Sequence, residues 1–174
     1  MLNNSDDPVI QIINGANQRG GRMLSLVDLI TRKTLTLEQA AFLTERIAGG
    51  DSLLVGANPG GAGKTTVMGA LLGMIPAGEP VLLTLERHSW RTAPHPSCIV
   101  AYEISPGSYF AYIWGREVQD YLEQGRSEHR LVTNLHADTF EEAYTQIVED
   151  NGASSEQFDE AFDLFLPIHL RGSI

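Results

Sequence analysis

An apolar run, Leu53-Leu54-Val55, leads into a glycine loop that ends in Lys64-Thr65 and opens at once into an apolar stretch of helical character reaching about Met74. This order of strand, glycine loop, Lys-Thr and helix restricts the fold more than anything else in the chain. Gly60, Gly61 and Gly63 let the backbone turn tightly and approach a ligand closely, at a cost in conformational entropy that needs a return. Backbone N–H groups of such a loop close around phosphate oxygens, the lysine supplies charge, and the threonine offers a hydroxyl to magnesium. A helix starting there points its positive end at the same anion. Asn58, Pro59, Gly60, Gly61, Ala62, Gly63, Lys64, Thr65 and Thr66 are therefore read as a nucleotide-phosphate loop. The usual pattern, G-x-x-x-x-G-K-[ST], opens on glycine. Asn58 stands there instead, the side chain that best tolerates the left-handed backbone after glycine. The plainer alternative, a glycine-rich turn with no ligand, leaves three costly glycines unexplained.

With 174 residues, 43% hydrophobic and 20% charged, the chain is expected to form one globular domain. No apolar stretch approaches a bilayer span, and Met1-Leu2-Asn3-Asn4-Ser5-Asp6-Asp7 is the reverse of a secretion signal, which points to the cytoplasm. The net charge of −10 lacks the basic stripe that nucleic acid or an acidic membrane requires. It also repels a nucleotide at long range, so affinity must come from the loop, Lys64, magnesium and nearby arginines. The single cysteine, Cys98, lies in an apolar run and reads as a buried, inert thiol.

Residues 1–22 read as an edge strand (Val9-Ile10-Gln11-Ile12-Ile13) and a linker, with residues 23–174 as the core. Helical spacing recurs over 24–30, and Thr36-Leu37-Glu38-Gln39 has the form of a capping box before a helix that Gly49-Gly50 ends. Strands are expected over 81–86, 98–104, 130–136 and 164–168, and helices over 109–124, 139–150 and 154–161. Buried strands alternating with helices imply right-handed crossovers and a mostly parallel sheet flanked by helices, an α/β fold of the P-loop, RecA-like kind. Ligands of such sheets gather at the carboxyl ends of the strands, which puts the loop, Glu86, Glu103 and His136 on one rim. A carboxylate at either of two strand ends can hold magnesium through water or orient an attacking water, and a histidine at another can touch a terminal phosphate. We assign Glu103 and Thr65 to the metal, Glu86 to the base and His136 to the phosphate. Solvated acids and a core histidine are the plainer alternatives. His88, His95 and Cys98 invite a metal reading, the last two with metal-like spacing, but no fourth ligand is evident. Trp90, Tyr102, Tyr109, Tyr112 and Trp114 read first as packing groups. Arg87, Arg91, Arg116, Arg126 and Arg130 are candidates for a phosphate contact made across a subunit boundary.

These residues together resemble the ATPases of type II and type IV secretion systems, type IV pili and archaeal flagella. Leu24-Ser25-Leu26-Val27-Asp28-Leu29-Ile30 with Thr34-Leu35-Thr36 looks like the linker-to-core segment of that family, and residues 58–66 like its Walker A motif. Thr84-Leu85-Glu86 looks like the start of its Asp box and residues 96–104 like its Walker B region. Thr133-Asn134-Leu135-His136-Ala137-Asp138, followed by Glu141, Glu142 and Ala143, resembles its His box. The resemblance implies ATP and Mg2+ as cofactors, and as partners further copies of the chain or secretion and pilus machinery. It also implies a core without the family's large N-terminal domain. The departures from the pattern are Ser97 in place of Asp, Tyr102 in place of a small glycine, Ser105 in place of a frequent Arg, and Arg87 in place of Asp. Each removes charge or space that hydrolysis uses. Three classes follow: a slow Mg2+-dependent ATPase, a nucleotide-binding regulatory subunit without turnover, and a small P-loop kinase.

Overall fold

The computed structural model describes residues 7–17, 20–58, 60–85, 90, 92–125, 127 and 129–169. Among these, every strand pair of the single sheet is parallel. The main order is β2 (Val81–Leu83), β3 (Cys98–Val100), β6 (Arg130–Leu135), β1 (Leu53–Gly56) and β7 (Leu164–Pro167). Two short strands, β4 (Glu103–Ile104) and β5 (Tyr112–Ile113), pair with each other, and β4 also meets β6. The mostly parallel α/β arrangement expected from the sequence is the one observed.

Alternation along the strands divides the core in two. Leu53, Val55, Cys98, Val100 and Val132 pack under α1 (Pro8–Gly15), α2 (Leu26–Thr31), α3 (Leu37–Gly49) and α4 (Lys64–Leu72). Leu54, Ile99, Leu131 and Leu135 pack on the opposite face, under α5 (Arg116–Gly125), α6 (Phe140–Tyr144) and α7 (Ser155–Ala161). A strand that is buried on both faces must be apolar at nearly every position, as β1 is. Local signals fix the helix starts. Ser25 with Asp28, Thr36 with Gln39, and Ser154 with Gln157 form capping boxes, and Gly50 ends α3 in the left-handed region.

Three expected elements differ. The run 9–13 is not an edge strand but the body of α1. Asp7 accepts a hydrogen bond from Val9 N at 2.8 Å and Pro8 occupies the first turn, both helix-starting signals, and Ile12 and Ala16 are buried one turn apart. The helix expected over 109–124 begins only at Arg116, because Ala111 and Gly115 take positive φ and interrupt it. The strand expected over 98–104 breaks at Ala101 and Tyr102, whose amides go to Val132 O and Ala111 O, so that β4 aligns with β5. Glu86, at the end of the expected strand 81–86, lies outside the described residues, as do Pro59, Arg87, His88, Arg91 and Arg126.

The connection from β1 passes over the α4 face to β2, whereas the connection from β6 passes over the other face to β7. Adjacent strands whose following loops diverge in this way open a crevice at their carboxyl ends. The opposite end is closed by Arg130, buried, which pairs with Glu79 through Nε at 2.6 Å and Nη2 at 2.8 Å and donates from Nη1 to Ile47 O. Close approach at the crevice end depends on Gly56. A methyl there would run into the Ala137 carbonyl and meet the Phe165 ring at 2.7 Å. Gly56→Ala is therefore expected to cost about 1–3 kcal/mol, as overpacking of a tight core does, read as a lower midpoint with unchanged slope in urea unfolding.

Candidate functional site

The site is built where β1 and β6 end side by side. Ala57 N donates to Leu135 O at 3.3 Å, Asn58 N to Asp138 Oδ1 at 2.7 Å, and Asn58 Nδ2 to His136 O at 3.4 Å. Asp138 N in turn donates to Glu142 Oε2 at 2.7 Å. Asn58 thus ties the entry of the glycine loop to the exit of β6. The left-handed conformation expected of it does not occur: among the described residues only Lys33 and Ala111 combine a side chain with positive φ. Glycine's freedom is used further on, at Gly61 (φ 90°) and Gly63 (φ 102°).

Gly63 is the cap of α4, and no side chain caps that helix. The other helices that start from Asp7, Ser25, Thr36, Thr139 and Ser154 each have a side-chain acceptor on their first turn. At α4 the first-turn N–H groups of Lys64, Thr65 and Thr66 lack both an intrahelical partner and a cap, so they face the loop with the positive end of the helix dipole. A cavity of about 390 Å³ opens there. Gly60, Gly61, Gly63, Lys64, Thr65 and Thr66 form its floor, and Glu103, Tyr112 and His136 form one wall. Its size is that of a small-ligand site. Ala62 completes the loop between Gly61 and Gly63.

Within that wall the charged groups meet. His136 Nε2 lies 2.7 Å from Glu103 Oε1, and its Nδ1 lies 3.4 Å from Lys64 Nζ. Lys64 Nζ also reaches Ala57 O at 3.4 Å and stands 3.9 Å from Glu103 Oε2. Tyr112 Oη donates to the same Glu103 oxygen at 3.5 Å. One tautomer satisfies all of this: Nε2–H donates to the carboxylate while the Nδ1 lone pair faces the ammonium. Lys64 is buried, and burial pushes its ammonium below the ordinary lysine range, partly offset by Glu103 and Asp138. A buried cation held by one long ion pair is poised for a stronger anionic partner.

The rim therefore collects Asn58, Gly60, Gly61, Gly63, Lys64, Thr65, Thr66, Glu103 and His136, drawn from three separate stretches of sequence. Other expected groups lie elsewhere. Ser97 precedes β3 at the far end of the sheet, where its hydroxyl donates to Pro94 O, so its difference from Asp does not reach the cavity. Arg130 begins β6 at that same far end and is committed to Glu79, which removes it from the candidates for a contact between subunits. Arg116 is exposed and pairs with Asp120 at 3.8 Å. His95 stacks on His129, not on Cys98, with ring centroids 4.1 Å apart. Burial pushes the Cys98 thiol well above its ordinary range, as an inert core thiol requires.

Two further contributors are not among the expected site residues. Asn134, fully buried in β6, donates from Nδ2 to Tyr102 O at 2.9 Å and so fixes the turn that delivers Glu103. A polar residue inside the apolar run 131–135 is a signal that could have found it. The second is the stretch after α1: Ala16, Asn17, Gly20, Arg22, Met23 and Leu24 form the remaining wall of the cavity. Nothing local in the sequence marks it.

No protein-family model matches this sequence, and comparison with curated proteins gives no match. Solved structures do resemble it. The VirB11 ATPase of the Brucella suis type IV secretion system, crystallised with sulphate, aligns with a TM-score of 0.50 and 20% identity over 83% of this chain and 49% of its own. The Legionella pneumophila ATPase DotB aligns with a TM-score of 0.50 and 13% identity over 80% of this chain and 43% of its own. This chain thus spans about half the length of either neighbour. At such identities the likeness is one of fold, the parallel sheet flanked by helices that this chain shares with these two ATPases.

Proposed function

We propose that this chain binds ATP in the cavity over the glycine loop and hydrolyses it slowly with Mg2+. The observation that carries the reading is the uncapped start of α4 beside buried Lys64, with Glu103 and His136 converging on the same cavity. Anion binding is the use to which such a helix start is put. The donor set suits magnesium: one hydroxyl, Thr65, and one carboxylate, Glu103, are what an ion needs that takes its other ligands from phosphate and water. Bound there, the ion would neutralise charge on the β- and γ-phosphates.

Lys64 exchanges Ala57 O and His136 for phosphate oxygens when nucleotide arrives, which leaves Glu103 and His136 facing the terminal phosphate. Glu103 would hold the ion, or orients the attacking water, Glu86 takes the proton, and His136 turns its Nε2–H from Glu103 to a phosphate oxygen. Water attacks the γ-phosphorus, the bridging P–O bond breaks, and ADP leaves with that electron pair. We further propose that further copies of the chain, or a component of secretion or pilus machinery, supply what the cavity lacks on its open side. That partner set rests on the likeness to VirB11 and DotB and on the family resemblance of the motifs.

Lys64→Ala removes a charge-assisted contact worth about 1.5–3 kcal/mol, so affinity for ATP and ADP is expected to fall at least tenfold in calorimetry while the variant stays folded. Unchanged affinity would refute the loop as the binding site. Glu103→Gln and Glu86→Gln keep shape and remove charge. Phosphate release is expected to fall at least tenfold in one of them with ATP still bound, and full activity in both would move the base to Asp138. Binding without turnover in the unmodified chain would make it a regulatory subunit, and ADP formation stimulated by an added acceptor would make it a kinase. If a neighbour completes the site, specific activity rises with protein concentration, and light scattering with a non-hydrolysable analogue and Mg2+ shows assembly. A strict monomer with constant specific activity would exclude the subunit contact.

A further inference from the structure

Tyr102 makes three directed contacts that join the site to the start of the chain. Its amide donates to Ala111 O at 2.8 Å, its carbonyl accepts from Asn134 Nδ2 at 2.9 Å, and its hydroxyl donates to Ile12 O at 2.8 Å. The side chain is buried, and burial pushes its phenol up to about 12, so it remains a donor throughout the neutral range. Gly15 is shaped to admit it: a methyl there would stand 2.6 Å from the hydroxyl but 3.7 Å from the ring carbon that bears it. A second glycine seats the same segment from the other side. A methyl on Gly69 of α4 would meet Met23 Cε at 2.8 Å and Ile13 Cγ2 at 3.4 Å. After α1 the chain turns at Gly20 and Gly21, both at positive φ, and Arg22 clamps to Asp28 through two bonds of 2.8 and 2.9 Å. The stretch so held is the cavity wall that faces the glycine loop.

We propose that Tyr102 is a positioning residue that docks α1 and thereby holds residues 20–24, with Ala16 and Asn17, as the wall that receives the nucleoside part of the nucleotide. This rests on the nucleotide reading of the loop. The phosphate end of the cavity is made of backbone amides, hydroxyls and Lys64. The wall opposite offers methyl and methylene groups from Ala16, Met23 and Leu24 beside the polar Asn17 and Arg22. That mixture fits a flat base with a hydroxylated sugar and offers little to bare phosphate. Glu103 is the next residue after Tyr102, but its placement is held by backbone bonds of that turn to Ala111 and Asn134, which Tyr102→Phe leaves in place.

Three variants of the full chain test this: Tyr102→Phe, Gly15→Ala and the two combined. Hydrogen exchange without nucleotide reads docking, and calorimetry with ATP and with inorganic tripolyphosphate reads the two ends of the cavity. In Tyr102→Phe, exchange over residues 8–17 is expected to speed up, ATP to bind about 2–10-fold more weakly, the range set by one lost hydrogen bond, and tripolyphosphate to bind within about twofold of the unmodified chain. Gly15→Ala should give the same pattern more strongly. The double variant should recover part of the Gly15→Ala loss, because removing the hydroxyl leaves the added methyl at an ordinary 3.7 Å contact. A merely structural tyrosine would weaken both ligands alike. Equal losses for ATP and tripolyphosphate, unchanged exchange, or no recovery in the double variant would each overturn the proposal. Failure of the unmodified chain to bind either ligand would instead overturn the loop reading, and the wall's role with it.

Discussion

Everything at the rim follows from one pairing, the parallel register of β1 with β6 that sets Gly56 against Leu135. Parallel strands carry their carboxyl ends to the same side, so the glycine loop after β1 and His136 after β6 have to emerge together. Because β6 also pairs with β3 and touches β4, Glu103 is brought to the same edge from a third segment. Gly56 makes the junction tight and Asn58 with Asp138 laces it. A one-residue slip in this register would turn the apolar set of β1 from one helix layer to the other and separate the charged groups at its end.

The rim is also where the fold gives up stability. Lys64 is removed from water and, among the described residues, has a long ion pair, a shared histidine and a carbonyl as company. By contrast, the helices that start from Asp7, Ser25, Thr36, Thr139 and Ser154 each have a side-chain cap, and buried Arg130 is bound on both forks. A site that leaves helix amides uncapped and a cation under-paired stores a preference for an anion, and that preference costs the empty fold.

Tyr102 illustrates how a residue that departs from a familiar pattern can be used and not merely tolerated. At the place where the resembling family carries a small glycine, the side chain turns away from the cavity and is absorbed by α1, with Gly15 yielding the room. The helix that it anchors then carries the chain past the loop. The tyrosine itself does not line the cavity; it bonds the helix after which Ala16, Asn17, Met23 and Leu24 line it.

The sequence by itself determined the elements whose causes are local. The strand before the glycine loop, the capped helices at Thr36 and Ser154, the left-handed stop at Gly50 and the alternation of buried strands with helices are written in contiguous residues. The collection of the loop, Glu103 and His136 on one rim was also legible, because strand ends in a parallel sheet obey a topological rule. What only the tertiary structure decided depends on partners far along the chain. Residues 9–13 read as an edge strand, but Asp7 and Pro8 start a helix there that packs Ile13 on Gly69 of α4, and the break at Ala101 and Tyr102 exists because Val132 and Ala111 take their amides. The placement of Arg130 and Ser97 at the closed end, and of Ala16, Asn17, Gly20, Arg22, Met23 and Leu24 along the cavity, belongs to the same class. Such features are fixed by long-range hydrogen bonds and close packing, whose energies exceed the small local preferences that a sequence displays.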